Sequence, residues 1–126
     1  MNATIATTLR IFFGLFMIIF GLDKFFHFVP IPAIPGDGGT LMNIFATSGF
    51  MSLIGLLEII GGLALLLKKF VPLALTILIA IMFNALVIHI LLDPDPLGAV
   101  GSLFGLILGL ANVYAYKERF SSLLSA

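Results

Sequence analysis

The 126-residue chain is 61% hydrophobic and 10% charged, with a mean hydropathy of +1.26 and a formal net charge of zero. A water-soluble domain of this size needs far more surface charge, so lipid is the solvent for most of it, and no basic run interleaved with aromatics points to nucleic acid. Without cysteine it can form no disulfide, thiolate metal site or thiol relay of its own; without tryptophan, Phe and Tyr must serve as interfacial anchors.

A spanning helix needs roughly 20 mostly apolar residues, at about 1.5 Å each. The first such segment is residues 5–28. It has the Arg and apolar run of a signal peptide, but "GLDKFFHF" stands where a small-residue cleavage site belongs, so a retained helix is expected. Pro30, Pro32, Pro35 and Gly36 end it. Residues 41–67 as one helix would be about 40 Å long, too long for a hydrocarbon core of about 30 Å. A separate short amphipathic helix over 41–48, ended by Gly49, is expected instead, lying over the outer mouth of the bundle as a lid or a packed loop. The second span is 50–67. Lys68-Lys69 and Pro72 mark the next turn, the third span is 71–92, "DPDP" (93–96) stops it, and the fourth is 97–116. The expected fold class is all-α: a single domain over 1–126, an integral membrane, up-down four-helix bundle with a short extra helix in the first outer loop.

Charge orients these spans. In an up-down chain Arg10, Lys68, Lys69, Lys117 and Arg119 fall on one side, and Asp37, Asp93 and Asp95 on the other. The positive-inside rule puts both termini in the cytoplasm and the acidic loops outside. Lipid supplies no hydrophobic drive between helices, so close packing at small residues matters. Gly14 and Gly21 share a face of the first span, and Gly55 and Gly62 flank Glu58 on a face of the second. Gly98, Gly101, Gly105 and Gly109 recur along the fourth, with Asn112 one turn beyond. The glycine faces are expected to point inward, and Glu58 with them.

Polar residues inside the membrane are costly, roughly 2.5–3.5 kcal/mol for a charge at its centre, and are functional candidates for that reason. Glu58 lies about 15 Å from the basic boundary, near the midplane. Asp23, Lys24, His27, Asn84 and His89 fall in the outer half above it. Glu58 is either a protonated acid bonded to a neighbouring helix or an ionised partner of Lys24. The Lys24 stem can turn inward to Glu58 or snorkel outward to water. Asp23 and Lys24 point about 100° apart on a helix and do not suit each other, whereas Asp23 and His27, at i and i+4, share a face. His27 and His89 lack supporting carboxylates at ligand spacing, so no metal site is assigned. Asn84 and Asn112 suit inter-helix hydrogen bonds.

Arg10-x3-Gly14-x6-Gly21-x2-Lys24, then Gly55-x2-Glu58-x3-Gly62, then a third span ending with His89, resemble the DoxX family of small bacterial membrane proteins. The likeness covers nearly the whole chain, and Lys24, Glu58 and His89 match the family's polar pattern. It implies a four-helix protein of the bacterial cytoplasmic membrane. The family takes its name from a subunit of a thiosulfate:quinone oxidoreductase, which suggests a redox-complex role with a partner subunit.

Three functions follow. One is the membrane subunit of a quinone-linked oxidoreductase, with Lys24, Glu58, Asn84 and His89 in an outward-facing polar pocket. Quinone would be its ligand, Glu58 its proton carrier, and Lys24 or His89 the donor to a ring oxygen. The second is a carrier or binding protein for a small molecule without redox chemistry, for which four spans are few unless the chain forms a homo-oligomer, and no inverted repeat is evident. The third is a scaffold for other membrane proteins, with the polar cluster structural. A liposome flux assay separates the second from the first; partner recovery after neutralising Glu58 and Lys24 marks the third.

Overall fold

The computed structural model describes residues 2–27 and 34–121. Pro30 and Pro32, expected to stop the first span, lie outside them. The described residues form α1 (Ala3–Phe26), α2 (Gly36–Ser48), α3 (Phe50–Leu66), α4 (Val71–Leu92) and α5 (Leu97–Ala115), followed by a 3₁₀ turn, Lys117–Phe120.

Local chemistry sets most boundaries. The Asn2 side chain accepts from the Thr4 amide at 2.7 Å to start α1, and His27, in the left-handed region at φ 52°, ends it. Gly49 (φ 84°) closes α2 and redirects the chain into α3. The α3–α4 turn has no glycine, and there Lys68 (φ 55°) and Phe70 (φ 53°) take the left-handed conformation instead. At 93–97 the Asp93 carboxylate accepts from the Asp95 amide at 2.9 Å and Asp95 from the Leu97 amide at 3.0 Å, so two successive Asx turns lead into α5.

α1, α4 and α5 are each long and apolar enough to cross a membrane. α3 has 17 residues and falls short alone; with α2 it forms a pair bent by 77°, so the described residues hold three helices long and apolar enough to cross, or four if the bent pair counts as one span. The separate helix before Gly49 is present but begins at Gly36, five residues before the expected start at 41. The expected first outer loop includes residues 36–40. They are helical because α2 packs on the end of α4 so closely that a side chain at Gly38 would meet the Leu92 carbonyl oxygen at 2.5 Å.

α1 lies along α3, α3 beside α4, and α4 along α5, which returns to α1. The α1–α3 contact is the most extensive, and it is a backbone contact. A Cβ at Gly14 would meet the Gly62 carbonyl oxygen at 2.9 Å, and one at Gly62 the Gly14 oxygen at 2.6 Å. One level on, Gly21 and Gly55 are related in the same way, at 2.7 and 3.0 Å. Phe13, Met17, Leu65, Leu75 and Leu78 fill the interior. On α5, Gly105 admits Met82 and Gly109 admits Ile79, whereas Gly101 faces Phe20 with room to spare, so the four α5 glycines do not serve one interface.

Gly62→Val should therefore wedge α1 from α3 and cost about 1–3 kcal/mol by overpacking. Gly101→Ala, whose Cβ would have its nearest neighbour at 4.0 Å, should be neutral. Unfolding of the detergent-solubilised variants by SDS or heat checks both.

Candidate functional site

The seam between α1 and α3 carries an ion pair. Lys24, one turn beyond Gly21, turns inward, and its ammonium meets Glu58 Oε1. Glu58 is 0% exposed and the Lys24 side chain 21%. The glycines make this approach feasible: a side chain at Gly21 would reach Glu58 Cβ at 3.1 Å, and one at Gly55 would reach Lys24 Cβ at 3.1 Å. Glu58 Oε2 is buried and finds no hydrogen-bond donor among the described residues. A buried carboxylate oxygen left open is expensive in a dry interior and marks a place where a further donor or a proton would be favourable.

Among the other residues singled out from the sequence, Asn84 and His89 make their hydrogen bonds elsewhere. Asn84 is exposed on α4 and donates back to the Ala80 carbonyl of its own helix at 2.8 Å, not across to another helix. Its N–H group is bonded within α4, which competes with an inter-helix partner. His27 is exposed at the end of α1, in the left-handed conformation, with its backbone amide donating to the Asp23 carbonyl at 2.8 Å. Asp23 is buried. His89 bonds Asp93, Nδ1 to Oδ2 at 3.0 Å, one turn along α4. Gly98 leaves the space for them, since a Cβ there would come within 2.5 Å of His89 Nδ1 and 2.7 Å of Asp93 Oδ2. Cavities lie between α4 and α5 and at Tyr114–Arg119.

A second charge, expected on the basic side of the membrane, is also buried. Arg10 is 7% exposed. Its Nη1 donates to the Leu65 carbonyl and, at 3.3 Å, to that of Leu66, while Nε donates to the Tyr116 hydroxyl at 3.0 Å. Tyr116 donates in turn to the Ala6 carbonyl at 3.3 Å. The guanidinium thus satisfies the open carbonyls at the negative end of α3 and ties α1, α3 and α5 together. Asn112 adds a bond from α5 to the Leu9 carbonyl at 3.1 Å, as inter-helix hydrogen bonding predicts for it. The signal for Arg10 was its register: positions 10, 14, 17, 21 and 24 form one helical stripe, and the stripe that buries Gly14 and Gly21 buries Arg10 too.

The sequence profile of the DoxX family matches residues 5–90, which span α1 to α4 up to the His89 turn. The chain belongs to the DoxX family. Arg10, Lys24, Glu58 and His89 of this DoxX protein all fall within the matched region, whereas α5 and Asp93 lie beyond it. No curated protein and no solved structure matches the chain.

Because breaking a buried ion pair strands the remaining charge, Glu58→Gln or Lys24→Met alone should cost about 3–5 kcal/mol, and the joint replacement by Met and Leu should recover most of it. A double-mutant cycle of detergent unfolding measures this; additive single costs would show that the two groups are not coupled. At the other polar site, the Asp95 amide, and after it His89, hold the Asp93 carboxyl below its ordinary range. A depressed folded pKa stabilises above the unfolded value of about 3.9 and is lost as pH falls through the folded one. Hydrogen exchange at the Asp95 amide should thus show a loss of protection below about pH 4, relative to the intrinsic rate, that is missing in Asp93→Asn.

Proposed function

We propose that this DoxX protein is the membrane subunit of a quinone-linked oxidoreductase, with Lys24 and Glu58 at the quinone-headgroup site. In this reading α1, the α2–α3 pair, α4 and α5 cross the bacterial cytoplasmic membrane as an up-down four-helix bundle, with both termini in the cytoplasm. Support for the orientation comes from charge: Arg10, Tyr116 and Leu66 are bonded at one end, next to Lys68, Lys69, Lys117 and Arg119, and the Asp93–Asp95 turn lies at the other.

The observation that carries the proposal is the buried pair with one carboxylate oxygen unsatisfied. A quinone carbonyl needs a hydrogen-bond donor, and its reduction to the quinol takes up two electrons and two protons. Lys24, still partly exposed, is placed to donate to a ring oxygen while remaining beside Glu58. Glu58 is placed to carry the protons that the reduced oxygens accept. The chain has no cysteine, and its two histidines are separated, His27 exposed and His89 bonded to Asp93; the electrons therefore come from a redox partner subunit. This reading makes no use of Asn84, bonded to its own helix, or of His89, bonded to Asp93.

The scaffold reading retains one specific support. The pair sits at the level of the Gly21–Gly55 contact, where it could serve to lock α1 to α3. The two readings part on chemistry. Purified protein should bind a quinone analogue, with affinity at least tenfold weaker in Lys24→Met, and membranes carrying Glu58→Gln should reduce quinone at least tenfold more slowly at equal protein content. Absence of quinone binding together with unchanged quinone reduction in Glu58→Gln would overturn the redox reading and leave the scaffold, whose partners the joint Lys24 and Glu58 replacement should still recover.

A further inference from the structure

The basic end of the bundle combines two features that the proposed site does not use. Between α4 and α5 runs an apolar groove of about 600 Å³, lined by Thr76, Ile79, Phe83, Leu106, Leu110 and Phe120 among others. Its walls, 76–83 on α4 and 106–113 on α5, extend about 10 Å along the helix axes, within the reach of an acyl chain in one leaflet. At the end marked by Phe120 the chain turns into Lys117–Phe120, and a smaller hollow of about 270 Å³ is lined by Tyr114, Tyr116, Lys117, Glu118 and Arg119. Arg119 and Phe120 are neighbours in sequence, so the charged hollow and the greasy groove adjoin.

The electrostatics of this end are one-sided. Lys68, Lys69, Lys117 and Arg119 are all exposed, and Glu118 is the acid among them. Among the described residues the ion pairs are Lys24–Glu58 and His89–Asp93, so none of these four cations is neutralised by a carboxylate. Two are instead held over aromatic faces: Lys117 Nζ lies 4.6 Å from the centre of the Tyr114 ring, and the Arg119 guanidinium 5.8 Å from that of Tyr116. Tyr116 is itself fixed by Arg10 and Ala6, which gives the basic turn a defined position relative to the groove.

We propose that this end is a binding site for an anionic phospholipid, with one acyl chain in the α4–α5 groove and the phosphate on Lys117 and Arg119. Any lipid tail can wet the groove. The unpaired cations at its mouth are what select charge, through charge-assisted hydrogen bonds to phosphate oxygens in the leaflet that this end reaches. Lys68 and Lys69 lie on the neighbouring turn and add long-range attraction.

Native mass spectrometry of the full chain, titrated in detergent with phosphatidylglycerol or with phosphatidylcholine of the same chain length, tests the site. Phosphatidylglycerol should be retained at lower concentration than phosphatidylcholine. Replacing Lys117 and Arg119 together by Gln should weaken it about 30-fold. Ala80→Phe, which fills the groove without touching charge, should weaken it about tenfold, and the glycerophosphoglycerol headgroup without chains should compete poorly. All three substituted positions are exposed, and unchanged helicity by circular dichroism accompanies the expected result. Equal retention of the two lipids, wild-type binding by both variants, or headgroup binding as tight as that of the whole lipid would each overturn the proposal.

Discussion

The constraint on which this structure depends is that lipid does not push helices together. In water the apolar faces of α1 and α3 would associate by being hidden, but in a bilayer their tails are replaced by others just as apolar, and association must come from contact. Gly14 against Gly62 and Gly21 against Gly55 bring the two backbones to carbonyl distance at two levels, seven residues apart on each helix. Dispersion between closely set backbones grows steeply as separation falls, so those two levels define both the spacing and the register of the pair. α4 and α5 repeat the principle less strictly, with glycine on one side and Met82 or Ile79 on the other.

Close approach has an electrostatic consequence. Where backbones touch there is no room for water, so a charge placed on the seam must find its partner in the protein. Lys24 and Glu58 are that case, and the bulk that glycine lacks at 21 and 55 is the space their stems occupy. Arg10 lies on the same stripe and is solved differently, with helix-end carbonyls and a phenol in place of a carboxylate. At the opposite end, His89, Asp93 and Asp95 close the passage from α4 to α5, again with a glycine, Gly98, giving them room. Both ion pairs are thus set against glycines on the facing or following element. Glu58 Oε2 stays buried without a hydrogen-bond donor among the described residues, and the functional reading rests on it.

Much of this was legible from the chain alone. Apolar run length, the Pro-rich and charged interruptions and the one-sided distribution of charge located the helices to within a few residues, because each depends on local chemistry: which residues tolerate lipid and which cannot continue a helix. The helix before Gly49 was legible too, from the excess length of 41–67 over the bilayer. Its start at Gly36 was not, since the local pattern does not show that α2 packs on the end of α4, where the Leu92 carbonyl lies against Gly38.

The candidate site divides in the same way. That Glu58 and Lys24 are ionisable groups buried in lipid follows from sequence, as does the inward stripe that holds Lys24, Gly21, Gly14 and Arg10. Sequence could not say which way the flexible Lys24 stem turns, since both directions end a charge favourably; only the position of α3 makes the inward one available. Nor could it separate Asn84 from Asn112, the same residue type on apolar helices and both suited to inter-helix hydrogen bonds. One is exposed on the surface of α4 and bonds its own backbone, the other is buried and reaches α1, and that difference is set by the rotation of each helix in the assembly. Composition and local pattern determined what the chain is made of and where it bends; the helix interfaces decided which polar atoms meet, because pairing requires two surfaces and a sequence describes only one at a time.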